Sequence, residues 1–324
     1  MSAFLDAESK DPRVAQVYRK GLDVYKWICQ PETAPNENYV CGAAISLPIV
    51  GLTQLMQIMV LFKTLRVSPG ELVSRFKVGH SQGIATAAAF SMLTDEESFD
   101  SISRKILGIH FLAGAVSQLA YPLYALLGSN SDTSNHSSYG DPQPMVSVQG
   151  MSKQALEAYV LTFNKSQRTT AEHVYLAIIN AFDNSVVAGE LSSVANFVSF
   201  LHSQSAQPNE DQTRVPFNKR RPVITTNYLK ITVPFHCILL QPSIGPMCEI
   251  AREKQWELDP AAMQLPVRAL DGGQDIRRQT DLTRYVLESV CVLQVNWPRA
   301  VDPRGTTHIV DFGPGGTTGF GYLA

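Results

Sequence analysis

Apolar and polar positions follow two different periods along this chain, and the change falls near its middle. From Cys41 to Phe62 there is no charged residue, a run long enough to cross a membrane. Pro48, Thr53, Gln54, Gln57, Gly42 and Gly51 interrupt it. A helix from about Leu47 to Leu65, buried in a large core, accounts for the run without a membrane. Ser68-Pro69-Gly70-Glu71 has the cap, proline and acid of a helix start. Thr94-Asp-Glu-Glu97 reads as a capping box that opens a long amphipathic helix from about Asp95 to Leu119, with Leu107, Phe111, Leu112 and Val116 on one side. Gly128 to Pro144 is rich in Ser, Asn, Asp and Gly and reads as a surface loop and boundary.

Beyond that loop the pattern becomes strand-like. Met145–Val148, Val174–Asn180, Ser185–Ala188 and Asn227–Thr232 read as strands, with helices over Lys153–Phe163 and Leu191–Ser203. The order β-α-β-β-α-β is that of a ferredoxin-like unit, and residues 144–232 are expected to form an inserted small subdomain. Gln204 to Arg221, polar and charged, is a loop within it. Residues 1–143 and 233–324 then make a large α/β subdomain. Its later elements are a strand over Gln264–Ala269, a helix over Asp281–Val292 and a last strand over Thr307–Phe312. Strands alternating with helices predict a parallel sheet covered on both faces.

One stretch of the large subdomain carries chemistry. Gly79-His-Ser-Gln-Gly83 fits G-x-S-x-G, between a short strand ending at Lys77-Val78 and an Ala-rich helical run from Ile84 to Met92. Strand, sharp turn and helix make a nucleophile elbow, which lifts Ser81 Oγ above the sheet. The backbone N–H of Gln82, at the helix N-terminus, is placed as an oxyanion donor. A serine hydroxyl needs a base, so a histidine is expected nearby in space. His80 reads as packing, because adjacent residues on an elbow do not share a direction. His110, His136, His173, His202 and His308 read as structural or solvated.

Composition narrows the classes. The chain has 324 residues, 44% hydrophobic and 17% charged, with a net charge of −2, which argues against nucleic-acid binding. Its five cysteines contain no C-x-x-C pair, so neither a zinc site nor a disulfide framework is indicated. The N-terminal stretch lacks the apolar core of a signal peptide, and a reducing, cytoplasmic setting is expected.

Four motifs arrive in order: Gly79-His-Ser-Gln-Gly83, Asn180-Ala-Phe-Asp-Asn-Ser-Val-Val-Ala-Gly189, Pro234-Phe-His236 and His308-Ile-Val-Asp-Phe-Gly-Pro-Gly-Gly316. Together they resemble the acyl-CoA:acyl carrier protein transacylases, most of all the acetyltransferase domain of the fungal fatty acid synthase beta subunit. Tyr25-Lys-Trp27, Ile45–Gln54, Arg214-Val-Pro-Phe217 and Asp271-Gly-Gly extend the likeness from about Tyr18 onward. The resemblance implies ping-pong acyl transfer with Ser81 as nucleophile and His236 as general base. It implies no acidic third member, because a backbone carbonyl orients the imidazole. That carbonyl belongs to the residue before a tryptophan, here Asn296. It also implies an acyl pocket that includes Ala113 and Asn180. Acyl-CoA and a phosphopantetheinylated acyl carrier protein would be substrates, with no redox cofactor and no metal. Other synthase domains or subunits would be partners, with no nucleic acid and no membrane.

Relatives that use dicarboxylates carry an arginine on the helix after the elbow, forked onto the malonyl carboxylate. Alignment through Phe111-Leu-Ala-Gly114 puts Ala113 there, which implies an uncharged acyl group with room for more than acetyl. Arg104 and Lys105 would matter only in a different register. Lys219-Arg-Arg221 is a basic cluster that reads as a solvated loop, with acidic carrier protein or CoA phosphates as its alternative partners. The family's upstream Phe-Gly-Gly-Gln-Gly turn has no counterpart, since the one Gly-Gly-Gln here is Gly272-Gly-Gln274. The expectation is therefore a chain short of a second oxyanion donor and of one strand, as a fragment, a truncated product or a stand-alone enzyme. A thioesterase using the same Ser-His pair and a non-catalytic scaffold domain stay open beside the transferase.

Overall fold

The computed structural model describes residues 12–66, 76–121, 140–206, 210–301 and 304–315. The Ser68–Glu71 helix start, most of the Gly128–Pro144 loop with His136, and Gly316 lie outside the described residues.

Short helices α1 (Pro12–Val17), α2 (Val24–Cys29) and α3 (Glu37–Val40) lead into the long helix α4 (Ala43–Leu65). Pro48 sits inside α4, where it cannot donate to the carbonyl of Ala44. Tyr18 Oη supplies a donor to that carbonyl at 3.4 Å. By length and composition the stretch Ala43–Thr64 would cross a membrane, and 33% of its apolar window is buried. Ala43, Ala44, Ile45, Leu47, Leu55 and Ile58 form its buried side, facing the core. Helix α5 (Gly83–Met92) follows the elbow, and α6 (Glu96–Ala120) packs along α4. The capping box of α6 differs by one residue from the expected one. Asp95 is the N-cap, its Oδ1 accepts from Ser98 N at 2.7 Å, and Ser98 Oγ accepts from Asp95 N at 3.0 Å. Thr94 donates to the Asp95 carboxylate instead of capping.

The expected β-α-β-β-α-β order is present as β1 (Met145–Gln149), α7 (Lys153–Ser166), β2 (Val174–Ala181), β3 (Asn184–Gly189), α8 (Leu191–Gln204) and β4 (Thr225–Tyr228). The fourth strand starts before the expected Asn227 and stops before Thr232. Its register on β1 runs from Gln149↔Thr225 to Val146↔Tyr228, and beyond it Ile231 N turns back onto Leu229 O. Val146, Val148, Leu156, Val187, Val194, Phe197 and Leu201 close a separate core between this sheet and its two helices.

Helices α9 (Gln241–Glu253) and α10 (Leu282–Cys291) follow, then strand β5 (Val295–Asn296) and α11 (Trp297–Ala300). Strand β5 pairs parallel with β2, giving the order β4-β1-β3-β2-β5, so the large subdomain adds an edge to the smaller sheet. Of the parallel sheet expected within the large subdomain, the described residues keep a single bridge between Lys77 and Val267, and Gln264–Ala269 forms no longer strand. Lys77 N donates to Pro266 O, and Arg268 N donates to Lys77 O, each at 2.9 Å. Thr307–Phe312 forms no strand among the described residues. Ile309 and Val310 stay exposed there, while Phe312 packs edge-on against Phe90 at 5.4 Å.

Candidate active site

The parallel pair holds Lys77 in place, and the chain turns sharply after Gly79 into α5. Ser81 sits at φ 52, a left-handed conformation that costs a serine roughly 1 kcal/mol or more. The glycine before the serine is obligatory, because a Cβ at Gly79 would lie 1.9 Å from Gly83 O. Gly83 is not so constrained: a Cβ there would meet nothing nearer than Gln54 Nε2 at 3.7 Å. The two glycines of the motif therefore differ in purpose.

Ser81 Oγ lies 2.7 Å from Nε2 of His236, 155 residues further along. His236 is buried, and its backbone is also left-handed, at φ 56. Two hydrogen bonds tie its loop to the end of α10: Cys237 N donates to Cys291 O at 3.2 Å, and His236 Nδ1–H donates to Leu293 O at 2.9 Å. That second bond leaves Nε2 as the acceptor for the serine proton. Burial lowers the pKa of His236 to about 4, against the raising effect of the Leu293 carbonyl, so the imidazole is neutral at pH 7.

The carbonyl on Nδ1 is thus that of Leu293, not that of Asn296. Asn296 is drawn into β5, where it pairs with Ile179 and its N–H donates to Leu270 O. Leu293 instead follows the unwound end of α10, where Val292 N and Leu293 N both reach back to Glu288 O at 2.8 Å. That tight exit frees the Leu293 carbonyl for the imidazole.

Gln82 is the N-cap of α5, and among the described residues its N–H donates to no acceptor. Asn180 reaches the elbow through His80, whose Nε2–H donates to Asn180 Oδ1 at 2.9 Å. The His80 ring also stands edge-on to Trp297 at 5.1 Å. Burial, with the Asn180 bond opposing it and the charge of His236 adding to it, lowers His80 to about 3. His80 therefore packs, and it also pins β2 to the elbow. Ala113 is 1% exposed and shares a core with Ile84, Ala85, Ala88 and Phe235. Arg104 lines a different cavity with Pro48, Phe111 and Trp256, and Lys105 Nζ donates to Glu257 O.

Sequence reasoning missed a buried polar set behind the elbow. Thr86 Oγ1 donates to Gln54 Oε1 at 2.6 Å and lies 3.2 Å from His110 Nε2. Thr86 gives its one hydroxyl hydrogen to Gln54, so His110 donates Nε2–H to Thr86, and burial lowers His110 to about 4. The signal was the polar pair Thr53-Gln54 inside a long uncharged run. Within the basic loop, Arg220 Nε donates to Val215 O and its guanidinium stacks on Phe217. Among the described residues no group of three or more His, Cys, Asp or Glu side chains converges on a metal-sized site.

A family model described as starter unit:ACP transacylase in aflatoxin biosynthesis matches residues 5–222. The fatty acid synthase beta subunit of Schizosaccharomyces pombe is 33% identical over 327 aligned residues. The match takes in 100% of this chain and 15% of that protein. The fatty acid synthase beta subunit aflB of Emericella nidulans is 34% identical over 326, again with 100% and 15% covered. The chain thus spans 15% of the length of these two curated relatives. Among solved structures, FabD of Acinetobacter baumannii superposes with a TM-score of 0.64 at 17% identity, covering 98% of this chain and 83% of that one. At that identity the likeness is one of fold, and it is the large α/β subdomain with an inserted ferredoxin-like unit.

Proposed function

The chain belongs to the starter unit:ACP transacylase family of aflatoxin biosynthesis, and on that footing we propose that Ser81 and His236 carry its acyl transfer. The donor is a short uncharged acyl-CoA, and the acceptor is the phosphopantetheine thiol of an acyl carrier protein, in fatty acid or polyketide synthesis. The relatives are longer synthase subunits, so further synthase domains are proposed partners.

The observation that carries this reading is the 2.7 Å contact between Ser81 Oγ and His236 Nε2, with Nδ1 held on the Leu293 carbonyl. His236 takes the Ser81 proton as Oγ bonds to the thioester carbon. The C–S bond then breaks, and the sulfur leaves with that proton. In the second half the incoming thiol gives its proton to Nε2, its sulfur bonds to the acyl carbon, and Ser81 recovers its hydrogen. The N–H of Gln82 faces the developing oxyanion. A carbonyl in place of a carboxylate is enough, because the imidazolium is transient and the exchange of one acyl ester for another is nearly balanced.

Intact-mass measurement after incubation with acetyl-, butyryl-, hexanoyl- and malonyl-CoA tests the proposal, beside Ser81→Ala and His236→Ala. The expected result is an adduct with the uncharged donors that disappears in Ser81→Ala. Ser81-dependent release of CoA with no adduct and no transfer to carrier protein would instead make the chain a hydrolase. An adduct with malonyl-CoA alone would overturn the uncharged-acyl reading.

A further inference from the structure

A second concave feature lies beside the elbow. Arg268, Gly272, Gly273, Pro298, Arg299 and Arg304 line most of an open cavity of about 680 Å³. Among the described residues no acidic side chain lines it. Of the nearby carboxylates, Asp271 accepts from Gln274 at 3.0 Å, and Asp275 pairs with Arg277 at 2.6 Å. Among the described residues neither Arg268 nor Arg299 enters a salt bridge. The Arg268 and Arg299 guanidiniums line one hollow and repel one another, and a chain of net charge −2 has no general excess of cations to explain it.

The cavity is partly preorganised. The Arg268 guanidinium lies over the Phe76 ring, 4.0 Å from its centroid, so little side-chain entropy remains to be lost on binding. Gly273, at φ 76, packs so closely that a Cβ would lie 2.5 Å from Arg299 O. Gly272 and Gly273 therefore offer bare backbone to whatever enters.

The cavity is also close to Ser81. Arg268 N donates to Lys77 O, and the four residues from Lys77 to Ser81 span at most ~14 Å of extended chain. On the other wall, Pro298 and Arg299 follow directly on Trp297, whose ring meets His80 next to the nucleophile.

Guanidiniums that line the same hollow as a glycine turn suit a group with several anionic oxygens, and a phosphate is that group. We infer that the cavity is a phosphate subsite for the phosphopantetheine arm, seating the phosphate end while the thioester lies at Ser81. This rests on the acyl-transfer reading above. The phosphate chemistry is shared by free CoA and by the carrier-bound arm.

The test is calorimetric titration of the Ser81→Ala protein with CoA, 4′-phosphopantetheine and pantetheine, with and without Arg268→Gln/Arg299→Gln. The expected result is at least a tenfold loss of CoA affinity in the double variant, with pantetheine unaffected. Arg268→Lys/Arg299→Lys keeps the charge without the fork and should bind CoA with an affinity between the parent and the glutamine variant, and equal thermal midpoints of the two double variants separate lost charge from misfolding. If phosphopantetheine weakens as much as CoA, the phosphate common to both arms occupies the cavity. If CoA alone weakens, its additional phosphates occupy the cavity and the assignment to the phosphopantetheine arm is overturned. CoA affinity equal in parent and double variant, or equal to that of pantetheine, overturns the subsite, and acyl-Ser81 formation, read separately by mass, is left standing. Arginine-dependent CoA binding without any acyl adduct would keep the subsite and overturn the transferase.

Discussion

Ser81 and His236 share more than a hydrogen bond: both hold left-handed backbones, at φ 52 and φ 56, while their side chains meet at 2.7 Å. Neither residue favours that conformation, so the surrounding structure imposes it. On the elbow, Gly79 closes on Gly83 O. On the histidine side, the two bonds to the end of α10 fix the loop.

Strain at the nucleophile gives a prediction that separates two null variants. Ser81→Gly relieves the left-handed backbone and Ser81→Ala does not, so the glycine variant should be more stable by about 1 kcal/mol. Both should lose the acyl adduct. Urea unfolding of the pair decides it: equal midpoints would mean that the elbow stores no strain.

His236→Ala should lower the rate of Ser81 acylation by ~10⁴-fold or more, since a serine without its base keeps only the help of positioning and the oxyanion donor. In the parent protein burial holds His236 at about 4, well below an ordinary imidazole near 6.5. The acylation rate should therefore stay level from pH 8 down to about pH 5.5. Single-turnover rates across that range check it. An acid limb centred near pH 6.5 would contradict the buried, neutral base.

Acid should unfold the protein steeply, for a related reason. Burial is the leading cause at His80, lowered to about 3, and at His110 and His236, lowered to about 4. Each native value is below its unfolded value near 6.5, so the unfolded chain takes up protons first as the pH falls. The stability that is complete above about pH 6.5 is then lost progressively as the pH falls through about 4 for His110 and His236 and about 3 for His80. Three such groups give a slope of up to about 4 kcal/mol per pH unit near pH 5. Urea midpoints at pH 7, 6 and 5 measure it, and midpoints that do not move would refute it.

How much of this was legible depends on which atoms carry the information. The elbow was readable because a sharp turn demands glycine at Gly79 and leaves the pentapeptide as its trace. His236 came from the likeness of Pro234-Phe-His236 to a family motif, since no periodicity marks a single residue on a loop. The Leu293 carbonyl was not readable, because any residue has a carbonyl and only the unwound end of α10 decides which one turns inward. The Thr86–Gln54–His110 set left Gln54 as its trace in the uncharged run, but which partners it meets depends on how α4, α5 and α6 pack. Thr307–Phe312 has strand-like side chains, but a strand needs a partner backbone, and no described residue supplies one.

The unequal glycines of the elbow make a paired test. Gly79→Ala drives a Cβ into the Gly83 backbone, which cannot give way without breaking the turn, so a loss of more than about 3 kcal/mol is expected. Gly83→Ala makes only an ordinary contact with Gln54 Nε2, at 3.7 Å, in the first turn of α5. It should leave stability unchanged or raise it by up to about 1 kcal/mol. Thermal unfolding ranks the two, and a Gly83→Ala protein as damaged as Gly79→Ala would mean that both positions are sterically closed.

Acyl size is the last property to test, and Ala113 is the residue to vary. It lies one turn beyond His110 on α6, 1% exposed, in the core that also holds Phe235 beside His236. Enlarging a packed site costs about 1–3 kcal/mol in stability whatever its function, so stability alone says nothing about a pocket. The ratio of hexanoyl to acetyl transfer is the informative quantity, because a merely weakened fold lowers both rates together. Ala113→Val should cut that ratio by roughly tenfold, the discrimination that a methylene or two of lost space provides. Ala113→Gly should raise it or leave it level. Competition between hexanoyl- and acetyl-CoA, read from the two acyl-enzyme masses in one sample, gives the ratio directly. A ratio that is the same in all three proteins would remove Ala113 from the acyl pocket.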